Sequence, residues 1–337
     1  MTNFRHMALA ALLATAAGTA QAQTNYMVVH LNNGTTQRVK ASDIDHVEFT
    51  TTNTPSTEKP VTLNVTETHP LYARYTSSAP TSLGTYLVMY DQKSVFSGYR
   101  TDDEVVAADL KLMEQAAAQY GMTREEFLKA YLETGDSQTT MLITGIVPNR
   151  AYTLWGYGMT EAGERTSGIT TLEFTTPAVT YIDNTIAIDI NTNSDGYPQA
   201  TFTPDDETLP FMSGYVPATA TDQEIEDAMN ASISNGIGNY FMYNMTIDDF
   251  LEQQCDKGVS DQAFSSSTSG TKYYAVAAYL NSEGAVCSKI FKKEFTGGAV
   301  STTSTAPSTL SLQAPKCRAF SLTPATPRLV KVPAVKR

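Results

Sequence analysis

The chain has 337 residues, of which 35 are acidic and 23 basic, and carries a net charge of −12. Hydrophobic residues make up 41%, enough to bury a core, which excludes a disordered acidic polymer. The acidity also argues against nucleic acid as a partner, because phosphates need a concentrated basic face. Histidine occurs only at His6, His30, His46 and His69. Chemistry that needs a histidine base or zinc ligand is therefore not expected in residues 70–337.

Residues 1–22 read as a secretory signal peptide. Arg5 supplies the positive charge, Met7 to Ala17 the apolar run, and Ala20-Gln21-Ala22 the small residues before a cleavage that makes Gln23 the first mature residue. The run is shorter than the roughly 20 residues of a membrane-spanning helix, and no later stretch qualifies, so no transmembrane segment is expected. Residues 23–50 predict a small β-hairpin unit. Met27–Leu31 and Thr36–Val39 alternate as strands around Asn33-Gly34, both of which tolerate the positive φ of a tight hairpin. Ser42–Phe49 predicts a further strand. This segment resembles the short N-terminal module of many secreted surface proteins of Gram-negative gut anaerobes. Residues 51–60 read as a linker.

An internal repeat organises the next 240 or so residues. Val61-Thr62-Leu63-Asn64-Val65 aligns with Ile186-Ala187-Ile188-Asp189-Ile190, Tyr72 with Tyr197, and Tyr90 with Tyr215. Thr101-Asp102-Asp103-Glu104 aligns with Thr221-Asp222-Gln223-Glu224, and Met122-Thr123 through Leu128 with Met245-Thr246 through Leu251. Tyr152, Gly163 and Glu173-Phe174-Thr175 meet Tyr273, Gly284 and Glu294-Phe295-Thr296. The matches keep their order at nearly constant offset, which predicts a duplicated domain covering 61–177 and 184–297.

Within each copy, period-two strands are expected at Val61–Val65, Leu71–Tyr75, Tyr86–Tyr90, Met141–Ile143, Tyr152–Tyr157 and Thr170–Phe174 and at their counterparts. Thr-x-x-Glu at Thr101 and Thr221, and Thr-x-x-acid at Thr123 and Thr246, read as capping boxes that open helices. These place two-helix insertions at 101–135 and 221–258, with Gly135 and Gly258 at the closing turns. The fold class is therefore mostly β: two sandwiches, each with a two-helix insertion, plus the hairpin unit. The phrase Ile143-Thr144-Gly145 through Tyr152 resembles the turn and tyrosine entering strand F of fibronectin type III domains. Leu71–Thr76 resembles their strand B, and Glu173-Phe174-Thr175-Thr176 their closing strand. The resemblance implies Ig/fibronectin-III-like β-sandwiches. The insertion between third and fourth strands, and the lack of a proline before Tyr273, depart from the family.

Residues 298–337 form a Ser/Thr/Pro/Ala-rich tail with six basic residues and no acid, which predicts flexibility. With those six charges and Arg5 set aside, the remainder carries −19.

Several patterns invite chemistry. Asn191-Thr192-Asn193-Ser194-Asp195-Gly196 spaces oxygen ligands as a calcium loop does, but the twelfth position is Phe202 and not glutamate, so an Asn/Asp turn is preferred. The doublets Asp102-Asp103, Glu125-Glu126, Asp205-Asp206 and Asp248-Asp249 could supply the two carboxylates of a glycosidase. Acids in first helical turns are equally explained by the helix dipole. Trp155, the single tryptophan, reads as core. Gly236-Ile237-Gly238 is followed by no phosphate-loop pattern and reads as a flexible stretch. Cys255 and Cys287 could bridge, although two small buried apolar residues fit better because the aligned copy lacks both.

Phe127, Leu128, Tyr131 and Leu132, echoed by Phe250 and Leu251, form apolar helix stripes. The helices could dock these on their own sandwich, or offer Phe127, Tyr131, Phe250 and Tyr240 as a binding surface. No catalytic residue, cofactor or metal is singled out. The expectation is an exported, non-catalytic surface or periplasmic protein that recognises a protein or glycan partner or spaces domains. A subunit of an adhesive assembly and a carboxylate hydrolase are the alternatives.

Overall fold

The computed structural model describes residues 25–30, 35–44, 55–298 and 328–330. They fall into two compact units, Met1–Asn53 and Thr54–Arg337. In the first, β1 (Tyr26–His30) pairs antiparallel with β2 (Thr36–Lys40), from Tyr26↔Lys40 to His30↔Thr36. Ala41–Asp43 make a 3-10 turn where the sequence predicted a strand. The signal peptide (1–22), the Asn33-Gly34 turn and residues 45–49 lie outside the described residues.

The first sandwich begins after an extended stretch in which Ser56 and Glu58 hydrogen-bond to Thr166 and Gly168. One sheet consists of β3 (Thr62–Thr68), β4 (Ala73–Ser78) and β7 (Asp136–Thr144). The other has the order β6 (Glu133–Thr134), β5 (Thr85–Gln92), β8 (Ala151–Gly158), β9 (Thr170–Thr175). Alternating residues Ala73, Tyr75, Met141 and Ile143 of the first sheet meet Tyr86, Val88, Tyr90, Tyr152 and Leu154 of the second. Tyr152 sits at the start of β8, and its hydroxyl accepts from Val147 N (2.9 Å) five residues upstream. Tyr273 accepts from Thr268 N (3.2 Å) in the second copy. These are the tyrosine corners of Ig-like sandwiches, and one occurs in each repeat.

The helices explain a feature of the strands. β5 and β8 do not show the period-two burial expected of Tyr86–Tyr90 and Tyr152–Tyr157: both are buried on both faces. Their outward residues Leu87, Met89, Trp155 and Tyr157 are covered by α2 (Asp102–Gln119) and α3 (Arg124–Tyr131). These follow a one-turn α1 (Lys93–Phe96). Each sandwich is therefore three layers, sheet on sheet on helices. Thr123 and Glu126 form the expected capping box; Thr101 accepts from Glu104 N, but Glu104 accepts from Arg100 N (2.7 Å) and not from Thr101 N, so that box is incomplete. Gly135 and Gly258 do adopt positive φ (56° and 65°), but they precede β7 and β13 and do not end a helix.

The second repeat uses the same plan. β10 (Ile186–Thr192), β11 (Pro198–Pro204) and β13 (Ser260–Ala263) form one sheet; β12 (Phe211–Pro217), β14 (Lys272–Tyr279) and β15 (Phe291–Thr296) form the other. The duplication extends to single bonds: Ser167 accepts from Gly158 N at 2.8 Å, and Ser288 from Tyr279 N at 3.0 Å, both 121 residues apart. Between β12 and β13 lie α4 (Asp222–Met242) and α5 (Ile247–Gln254).

The two repeats diverge at α4. Ile225, Met229, Ile233 and Ile237, at i+4 spacing and 0% exposed, face β12 and β14. Burial of each such side chain contributes about 1.5–3 kcal/mol. On the neighbouring ridge Ser234 and Gly238 face the first repeat, whereas Asn230 Oδ1 accepts from Val286 N (3.0 Å) within the second. Ser234 Oγ donates to Leu71 O and accepts from Gly145 N (2.7 Å) and Ile146 N (3.3 Å). A Cβ on Gly238 would lie 2.6 Å from Thr144 Cγ2, and one on Gly236 would lie 2.5 Å from Phe250 Cε2. Gly236-Ile237-Gly238 is therefore not a flexible stretch. It lies inside a helix, and its glycines allow close approach on two sides. Leu71, Tyr72 and Leu142 of the first repeat join the core around α4, and Arg150 pairs with Asp227 at 2.9 Å. Finally β16 (Arg328–Val330), from the tail expected to be flexible, pairs with the outer edge of β7.

Candidate functional site

The C-terminal end of α4 overhangs β4, and the gap beneath it is a groove of about 510 Å³. Its walls are Tyr72 and Arg74 from the first repeat and Phe241, Asn244, Met245, Thr246, Ile247 and Asp248 from the second. The turn between α4 and α5 is possible because Asn244 accepts φ 58°, as Gly121 does (66°) in the first repeat. Tyr72 projects from the stretch before β4. His69 stacks on one face at 4.2 Å and 12°, and Phe241 meets it edge-on at 5.1 Å. The Arg74 guanidinium lies 5.3 Å from the Phe241 ring centroid and 5.9 Å from that of Tyr72, and Arg74 Nε is 3.1 Å from Glu67. Burial raises the Tyr72 hydroxyl above its ordinary pKa, with Arg74 opposing. His69 Nδ1, 3.1 Å from Glu283 Oε1, ties this corner to the second repeat.

The floor is thus aromatic and the mouth polar: a cation held over rings, an amide, and Asp248. Such a combination suits a ligand with one apolar face and several hydrogen-bonding groups. Asp248 also borders a second cavity of about 570 Å³, lined by Ile182, Leu209, Pro210, Leu251, Glu252 and Leu280 among others.

The aromatic residues singled out from the sequence divide. Phe127 (8% exposed) and Phe250 (2%) are corrected to core: each packs into the helix–sheet seam, and neither lines the groove. Tyr131 is half-buried and stacks on Phe127 at 5.1 Å. Tyr240 is half-buried; its hydroxyl donates to Gln253 Oε1 (3.1 Å) and accepts from Gln254 (3.0 Å). Among the described residues the most exposed rings are Tyr120 (70%) and Tyr243 (77%), at matching positions of the two helix turns. Tyr120 continues the stack through Phe127 at 6.1 Å. Sequence reasoning passed over Tyr72, Arg74 and Phe241 because no local pattern joins positions some 170 residues apart.

The acidic doublets hold structure. Asp102 and Asp103 each bind Arg165 (2.9 and 3.0 Å). Glu126 and Asp249 close capping boxes, and their backbone bonds lower both pKa values. Asp205 accepts from Thr185, Asn184 and Tyr279, first among them Thr185 N, and falls to about 2. In the Asn191–Gly196 segment, Asn193 Oδ1 accepts from Asp195 N and Tyr197 N, an Asx turn. Among the described residues no group of three His, Cys, Asp or Glu side chains is placed to hold a metal, and no helix is long and apolar enough to cross a membrane. Trp155 is core, 3% exposed, and donates to Asp109. Cys255 and Cys287 lie in different cores and do not bridge each other.

No model of a known protein family matches the chain, and no curated protein matches it. Among solved structures, the chain is similar to the crystal structure of chicken CNTN1 FN1–FN3 domains, at 8% identity and a TM-score of 0.23, over 81% of this chain and 76% of that one.

Proposed function

We infer that this protein is an exported, non-catalytic binding protein of the cell surface or periplasm, and that it recognises a protein or glycan partner in the groove between its repeats. The observation that carries this reading is the Arg74–Tyr72–Phe241 cluster lining that groove. A guanidinium over aromatic rings offers both stacking and directional donors, the two elements that fix a planar or sugar-like group. The helices and both sandwiches hold it rigidly, so the groove exists before the ligand arrives. Export rests on Arg5, the apolar run and Ala20-Gln21-Ala22.

The test is a glycan-array and pull-down screen with the chain starting at Gln23. Arg74→Ala and Phe241→Ala should each reduce capture of the partner at least about tenfold, the size expected for anchor residues. Tyr120→Ala, remote from the groove, should not. Capture that survives both groove variants would remove the groove from the interaction.

A further inference from the structure

An unpaired sheet edge attracts further strands, and the two repeats treat theirs differently. In the second repeat the edge strand β13 is only four residues long and polar, Ser-Asp-Gln-Ala. In the first, its counterpart β7 spans nine residues and ends Met-Leu-Ile-Thr. Its outer edge is where β16 lies, in the register Arg328↔Thr144, Leu329↔Ile143, Val330↔Leu142. β16 also lies against α4, so the strand meets both repeats at their junction.

The tail sequence is built for a short strand. Pro327 precedes it and Pro333 follows, with Arg-Leu-Val-Lys-Val between. Proline has no backbone N–H to give a ladder, so Pro327 and Pro333 bracket the stretch whose sequence can pair. Leu, Val and Val at 329, 330 and 332 favour extended backbone. Residues 299–327 give ample reach from the end of the second sandwich to this edge. A ladder this short is weak by itself, and its tether keeps it in place.

We propose that the outer edge of β7 is a strand-acceptor site, and that its occupant is the chain's own C-terminal strand Arg328–Val330. The site takes an extended, apolar and basic peptide by strand addition. The strand thereby covers the edge at Leu142–Thr144 and fastens the junction between repeats.

The experiment uses the full chain with Leu329→Pro, which cannot complete the ladder. A fluorescein-labelled synthetic peptide of residues 324–334 is the probe, read by anisotropy. A tethered strand competes at an effective concentration near millimolar, so the wild-type chain should bind the peptide at least about tenfold more weakly than Leu329→Pro. The peptide carrying Leu329→Pro should bind neither chain. Amide exchange at Leu142–Thr144 should quicken in Leu329→Pro and be slowed again by peptide. A chain with 328–332 replaced by Gly and Ser should behave the same way, which separates loss of the strand from any misfolding caused by proline. Equal affinity for both chains, or unchanged exchange with no binding, would overturn the proposal. Concentration-dependent dimers of the wild type that Leu329→Pro abolishes would overturn self-occupancy and assign the strand to a second copy.

Discussion

Asp109 gives the most demanding test of the helix-on-sheet layer. It lies on α2, 1% exposed, and its Oδ2 accepts from Trp155 Nε1 at 2.9 Å and Tyr157 OH at 2.8 Å. Burial pushes its pKa up from 3.8 to about 7; the two donors pull it back, and the Asp91 carboxylate adds to the rise. A carboxyl raised in the fold binds its proton more tightly there than in the unfolded chain. Its contribution is therefore fully favourable below about pH 4 and is lost as pH climbs toward 7. A shift of about three units corresponds to about 4 kcal/mol at 1.36 kcal/mol per unit. Asp109→Asn keeps an acceptor oxygen and removes the titration. Urea unfolding of both chains at pH 4, 5.5, 7 and 8 gives the difference between them, which cancels the slopes of acids not coupled to Asp109. That difference should move in favour of the variant by up to about 4 kcal/mol between pH 4 and pH 8. A difference that stays within about 1 kcal/mol across the range would refute a buried, proton-holding carboxyl. The second repeat shows that the layer works without one. At the aligned positions it carries Met229, Val276 and Ala278, all apolar and buried.

Two further outcomes follow from the packing. Gly238→Val should force α4 away from Thr144 and cost about 1–3 kcal/mol, the usual range for overpacking. Thermal unfolding should then broaden or split as the repeats uncouple, and limited proteolysis should open the connection at 178–185; one unchanged transition would count against α4 as the joint. Tyr152→Phe leaves the buried Val147 N–H without its acceptor and should cost about 1–3 kcal/mol. Tyr273→Phe, at a more exposed corner, should cost less, a ranking readable from urea midpoints.

The sequence determined what is local or periodic. Thr-x-x-acid spacing marked all four long helix starts, because a hydroxyl accepting an N–H three residues on is settled within one turn. Alternating apolar residues marked strands buried on one face, such as Val61–Val65, and matches at nearly constant offset pointed to two similar halves. Tyr152 announced its corner because the motif closes over five residues. The tertiary structure decided what joins distant positions. Only packing could show that Phe127 and Phe250 point inward, since an apolar stripe looks the same whether it meets a sheet or a partner. Gly236-Ile237-Gly238 looked flexible because glycine weakens an isolated helix; a crowded helix needs it to let neighbours approach. The partner surface sought on the second insertion belongs largely to the first repeat of the same chain. The groove exists because that docking brings Tyr72 and Arg74 beneath Phe241. Such long-range complementarity leaves no periodic trace, because it depends on shape across an interface and not on spacing along a chain.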